Sequence, residues 1–232
     1  HFALAGNDAA YNAFRGGPGF PRAVNELRVA MGGHKQYMHV LVSGRSSVRT
    51  WTDLAGKRVG LTSPTSPNYS TFMAVFQEYG MTPDKVNAQW VTSSAYADAI
   101  RNGTLEAASL QSGYPAPAVT ELCASRVGVR LLSVPEQVAA AVQRKNPYYE
   151  PGVIPAGTYS CIPEAVPTIV SSTLLIVHKD VPEQTVYAIV KAIIESGRLA
   201  EVHQAGREWN LENAVTGLAG LPLHPGAERY FR

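Results

Sequence analysis

The chain has 232 residues, 45% of them hydrophobic and 16% charged, with 20 lysines and arginines against 18 aspartates and glutamates for a formal charge of +2. That apolar fraction is ordinary for a folded chain, and the length allows one large domain or two small lobes. The balanced charge supplies no polybasic footprint for nucleic acid. No apolar run approaches the roughly 18 residues of a membrane-spanning helix, so nucleic-acid, fibrous and transmembrane readings are excluded.

In chain order, residues 2–4 read as the end of a strand and residues 8–14 as a short helix. Gly16-Gly17-Pro18-Gly19 suits neither and predicts a loop. Residues 27–31 and 37–42, rich in β-branched and apolar side chains, predict two strands. Thr50 with Asp53 predicts a capped single turn, followed by a strand over 59–61. Residues 62–68 form a polar turn into a helix over 69–79, which Gly80 ends. Ser93 or Ser94 caps the next helix, and residues 105–110 return as a strand. A helix over 115–125 and a strand over 129–134 follow, then a helix ending near residue 145 that Ser133 and Glu136 open as a capping box. The Pro/Gly/Tyr-rich stretch 146–163 predicts a loop, and 169–177 a long apolar strand. Asp180 with Glu183 opens another helix, with Val186, Ile189, Val190, Ile193 and Ile194 on one face and Gly197 at its end. Recurring strand–helix units predict α/β layers on a mostly parallel sheet. Such sheets bind ligands beyond strand C-termini where the chain direction switches. The loops at 62–68 and 111–115 fit that rule.

Ser63, Thr65, Ser66 and Asn68 place hydroxyls and an amide at the mouth of a helix. That suits an anion or carboxylate, and it equally suits a capped helix start. Pro64 and Pro67 remove two N–H donors, so this is no phosphate-cradling loop. Gln111, Ser112 and Gly113 follow a strand; Gly113 either admits a ligand close to the backbone or serves the turn. Tyr148, Tyr149 and Tyr159 suit a cleft wall or a covered loop base. Cys123 and Cys161 read as one disulfide or two free thiols. No Cys/His cluster suggests a structural zinc, and His34 with His39 have the wrong spacing for one helical face, so neither metal nor cofactor is expected. No nucleophile elbow, His-Glu-x-x-His or Gly-x-Gly-x-x-Gly occurs, and polar uncharged loops without a nucleophile point to binding rather than turnover. His1-Phe2-Ala3-Leu4 begins as if inside a strand, which reads as a chain lacking its natural beginning.

Taken together the motifs form a resemblance. Asp53-Leu54-Ala55-Gly56-Lys57-Arg58-Val59 resembles the opening of the second lobe in type II solute-binding proteins. Ser112-Gly113-Tyr114-Pro115 through Ala118-Val119-Thr120-Glu121-Leu122 is similar to a segment of the TAXI subgroup of TRAP-transporter solute receptors. So are Tyr148-Tyr149 with Ile154-Pro155-Ala156-Gly157-Thr158-Tyr159, and Leu223-His224-Pro225-Gly226-Ala227-Glu228-Arg229-Tyr230-Phe231. The resemblance implies a periplasmic-binding-protein-like type II fold of two α/β lobes joined by hinge strands near 39–43 and 168–177. Residues 1–43 and 168–232 would form lobe I, incomplete at its start, and 44–167 lobe II.

It further implies a periplasmic receptor, with a signal peptide upstream, that closes around a small organic acid of the glutamate or 2-oxoglutarate kind. The receptor would deliver that acid to the TRAP transporter's membrane permease, with no nucleic-acid partner. Carried over, the ligand-binding residues are Asn7, Ser63, Thr65, Ser66, Asn68, Gln111, Ser112, Gly113, Tyr149 and Tyr159, whose amides and hydroxyls would hold carboxylate oxygens. Family members commonly carry glycine where Thr65 and Pro67 stand, which points to a different or smaller ligand here. An open sheet edge in the shortened lobe invites pairing of two chains. Alternatives of the same fold are the effector domain of a transcription regulator and an ABC-type solute-binding protein.

Overall fold

A computed structural model describes residues 1–232. In chain order its elements are β1 (Phe2–Gly6), α1 (Asn7–Arg15), β2 (Leu27–Ser43), β3 (Arg58–Leu61), α2 (Pro67–Glu78), β4 (Asn87–Trp90), α3 (Tyr96–Arg101), β5 (Ala107–Ser112), α4 (Pro117–Cys123), β6 (Val129–Leu132), α5 (Glu136–Lys145), β7 (Glu150–Ile154), β8 (Val166–His178), α6 (Glu183–Ser196), α7 (Arg198–Val202), α8 (Leu211–Ala214) and α9 (Pro225–Phe231). They fall into two compact units. Unit 1 comprises His1–Gln36, Pro147–Tyr149 and Ser171–Arg232; unit 2 comprises Tyr37–Asn146 and Glu150–Val170. The chain crosses between them after Gln36, Asn146, Tyr149 and Val170, so β2 and β8 each contribute to both.

In unit 1, β1 runs antiparallel to the later half of β8, from Phe2 opposite Val177 to Gly6 opposite Thr173. Its core joins Met31 of β2, Leu175 and Val177 of β8, and Val186 and Val190 on the inner face of α6. Ile189, Ile193 and Ile194 pack at the margin of that cluster, so the apolar stripe expected on this helix faces the core. A second cluster holds α1 by Ala10 and Ala13 against Leu27, Val29 and Leu174.

In unit 2 the strand order is β6-β2-β5-β3-β4. The pairs β3–β4 and β3–β5 are parallel, whereas β5 and β6 run antiparallel to β2. β7 pairs antiparallel with the first half of β8. The layers are α/β as expected, but the mostly parallel sheet is not found: β2 and β8 meet their paired partners in these ladders antiparallel, and parallel ladders join β3, β4 and β5, with one parallel bridge from Val29 of β2 to Leu223.

Four local expectations are corrected. Residues 27–31 and 37–42 belong to one 17-residue strand, since Gly32 and Gly33 do not turn the chain. A Cβ on Gly32 would stand 2.5 Å from the Asn213 carbonyl oxygen, and one on Gly33 would strike the Trp209 ring, so these glycines permit close approach of helix and indole to the strand. The stretch 146–163 holds β7, disguised by Pro151 and Gly152. The capping boxes at 133–136 and 180–183 do not form. Pro135 and Pro182 occupy the N-cap positions themselves, in extended geometry without a side-chain bond. Neither Ser93 nor Ser94 caps α3, which follows a 3-10 turn and begins at Tyr96.

Candidate functional site

The α2 entrance in unit 2 is a chain of short polar contacts. Thr62 Oγ1 donates to Ser66 Oγ at 2.7 Å, Ser66 Oγ donates to the Ser63 carbonyl at 2.8 Å and accepts the Tyr69 N–H at 3.1 Å, and the Ser63 and Thr65 hydroxyls lie 3.3 Å apart. Ser66 is thus the true N-cap, with Pro67 at the first helical position. Ser66 takes the Tyr69 N–H through its hydroxyl and the Ser70 N–H through its carbonyl, and Pro67 has none to give. Little of the helix's anion-binding capacity is left to its backbone. The exposed hydroxyls carry the rest.

Asn68, one residue further on, is buried. Its Nδ2 donates to the Ser109 carbonyl at 2.7 Å, and its Oδ1 accepts the Ser109 hydroxyl at 2.9 Å. Gln111 Nε2 donates to Thr71 Oγ1 at 2.8 Å. These bonds tie the first turns of α2 to β5. Because β3 and β5 are parallel neighbours, the loops that leave their C-terminal ends emerge on one side of unit 2. Ser63, Thr65 and Ser66 form one hydrogen-bonded group, and the pairs Asn68–Ser109 and Gln111–Thr71 form two more on α2 and β5, with Ser112 opposite Tyr37 on β2 and Gly113 just beyond the strand end. A Cβ at Gly113 would meet nothing within 4 Å, so the position faces open space.

Tyr159 bonds to the segment that follows Gly113. Its hydroxyl accepts the Ala116 N–H at 2.8 Å and meets His39 Nε2 at 2.8 Å, while His39 Nδ1 contacts the Tyr37 carbonyl at 2.9 Å. The hydroxyl is spent on holding the start of α4, immediately after the cis Tyr114–Pro115 bond. Burial holds the His39 ring down to a pKa of about 4, so it is neutral at pH 7. Cys123 at the end of α4 and Cys161 are joined in a disulfide, with Cα atoms 5.2 Å apart, which decides between the two readings of the cysteines.

In unit 1, Asn7 opens α1 and is 1% exposed. Its Nδ2 donates to the carbonyls of Tyr148 (2.8 Å) and Gly217 (3.0 Å), while its Oδ1 has no partner. Tyr149, 1% exposed, packs edge-on against Tyr148 with ring centroids 4.7 Å apart, and Tyr148 lies 5.5 Å from Tyr11. Around them stand residues that sequence reasoning missed. Asp8 is 9% exposed, and burial pushes its carboxyl above the usual range against the lowering effect of backbone N–H bonds. Thr173 Oγ1 accepts Gln36 Nε2 at 3.3 Å and meets His34 Nε2 at 3.2 Å, and desolvation lowers the His34 pKa. Gly217, at φ +65°, lies where a Cβ would collide with the Ser172 hydroxyl. The available signal was the polar run Ser171-Ser172-Thr173 inside an otherwise apolar strand.

Several solved structures resemble this chain. A TctC solute-binding protein from Polaromonas is 15% identical, covering 90% of this chain and 66% of its own, with a TM-score of 0.53. A Xanthomonas citri protein bound to chloride ion is 10% identical over 99% of this chain and 73% of its own, at 0.53. The periplasmic sulfonate-binding protein SsuA from Methylobacillus flagellatus is 13% identical over 98% of this chain and 56% of its own, at 0.51. The chain spans 56% to 65% of the length of the sulfonate-binding structures it matches. At these identities the likeness is one of fold. The model of the NMT1-like family matches residues 1–232 in full, and the chain belongs to the NMT1-like family.

Proposed function

We propose that the chain is the binding part of an extracytoplasmic solute receptor. It would capture a small organic acid at polar residues of the chain and deliver it to a membrane permease, without turnover. The observation that carries this reading is the set of hydroxyls and amides that follows the C-terminal ends of β3 and β5, the place where open α/β sheets take ligands. Its polar groups are hydrogen-bond donors and acceptors without a nucleophile–base pair, which suits holding carboxylate oxygens. The Cys123–Cys161 disulfide favours an oxidising compartment such as the periplasm. No helix is long and apolar enough to cross a membrane.

The finer reading is a TAXI-type receptor of a TRAP transporter for a C4–C6 dicarboxylate or amino acid, as its motifs suggest. A second reading, an ABC-type receptor, is favoured by the fold likeness to a sulfonate-binding protein, so sulfonates belong in the same trial. The test is a thermal-shift panel of dicarboxylates, amino acids, sugar acids and sulfonates. A ligand at ~100 times its Kd stabilises by about 2.7 kcal/mol, which raises Tm by roughly 5–10 °C in a chain this size. A shift with one acid and none with its neutral analogue supports the receptor. Turnover of a bound acid, seen as product by mass spectrometry, would overturn it.

A further inference from the structure

We infer that the turn between β1 and α1 is a subsite for a primary ammonium group of the solute, received by Asn7 Oδ1 and the Asp8 carboxylate. The inference rests on the receptor reading above and names one end of its ligand.

The Asn7 amide cannot serve a carboxylate. Both hydrogens of Nδ2 already go to carbonyls, those of Tyr148 and Gly217, and this fixes the amide's orientation, because a flip would press Oδ1 against two acceptors. Oδ1 is left as an acceptor in a side chain only 1% exposed, with no donor. A buried acceptor without a partner is destabilising, and a ligand N–H removes that penalty.

Asp8, the next residue, is a second acceptor lacking a counter-ion. The salt bridges of unit 1 join other residues, and the influences on its carboxyl are burial and the backbone N–H groups of Ala9 and Asp8, with no cation among them. Its Oδ1 lies over Gly6, where a Cβ would strike it, so the carboxylate sits on the β1–α1 turn itself. The positive end of α1, equivalent to about half an elementary charge, opposes a cation here. A full carboxylate charge outweighs it. The arrangement selects a charged N–H donor over a neutral or anionic group.

The test is calorimetric titration of this chain at pH 7.5 with pairs that share an anion and differ in the ammonium: L-glutamate against glutarate and 2-oxoglutarate, and taurine against ethanesulfonate. In at least one pair the amino member is expected to bind about tenfold more tightly, the worth of one charge-assisted hydrogen bond. Asp8→Asn keeps the shape and removes the charge, so it should erase that preference and leave the ammonium-free partner's affinity within about twofold. Equal binding within the pairs, or a preference that survives in Asp8→Asn, overturns the inference while the receptor reading stands. Binding by no member of either pair removes the inference, and with a blank thermal-shift panel the receptor reading falls too. If Asp8→Asn does not fold, the wild-type pairs alone decide.

Discussion

His39 and Tyr159 illustrate how a residue can be prominent in the sequence and yet have its polar groups already engaged. The Tyr159 hydroxyl accepts from Ala116 and meets His39 Nε2, both inside the core of unit 2. It is a positioning group for the loop that carries Gly113. Tyr159→Phe leaves a backbone N–H and a ring nitrogen unpaired, a loss of roughly 1–3 kcal/mol, and Tm is expected to fall by about 2–12 °C. A melting curve superimposable on the wild type would contradict these bonds. The same ring sets a pH dependence. His39 titrates near 6.5 when unfolded and at about 4 in the fold, so between those values the unfolded chain binds more protons. Stability is therefore complete above pH 6.5 and declines as the pH falls toward 4, by roughly 3 kcal/mol. His34, also lowered by burial, adds to the decline, whereas Asp8, raised by burial, acts against it at the acid end. Melting temperatures from pH 7 to 4.5 should fall steadily, and a flat profile would mean that His39 is not held neutral.

At the scale of elements, most of the helices and strands were legible, and the misreadings have physical causes. The two strands expected at 27–31 and 37–42 are one, because at Gly32 and Gly33 the missing side chains let Trp209 and the backbone carbonyls near Asn213 close onto β2. Such a reason is three-dimensional and leaves no local trace. Gly33→Ala should therefore destabilise by about 1–3 kcal/mol through forced displacement of the indole, read as a lower midpoint in urea. An unchanged midpoint would mean that the ring moves freely. β7 was hidden because Pro151 and Gly152 are rare in strands; β7 tolerates them beside Val170, where a Cβ on Gly152 would collide. The two capping boxes failed because the proline before each helix occupies the cap. The disulfide links residues 38 apart in sequence and ties α4 to the segment after β7. Closing a loop of that size is worth about 4 kcal/mol on the chain-entropy account, equivalent to about 8–16 °C. Reduction, or a Cys123→Ser/Cys161→Ser chain, should lower Tm by that order, and an unaltered Tm would show that the segment is held by packing alone.

For the molecule as a whole, the α/β class and the alternation of units followed from periodicity, while the site was legible only in part. The cluster from Ser63 to Gln111 could be found because hydroxyls and amides after a strand stand out locally. Asp8, His34, Gln36 and Thr173 could not, because β1, β2 and β8 bring them together from distant parts of the chain. Under the receptor reading the two sets can be tested apart. Acceptors for a donor group lie in unit 1, around Asn7 and Asp8, and the hydroxyls of Ser63, Thr65 and Ser66 lie in unit 2. Asp8→Asn should weaken only a solute that carries an ammonium, whereas Thr65→Ala should weaken amino and ammonium-free acids alike, by about two- to tenfold in calorimetric titration. A Thr65→Ala chain that binds both kinds as the wild type does would mean that these hydroxyls serve the start of α2 alone.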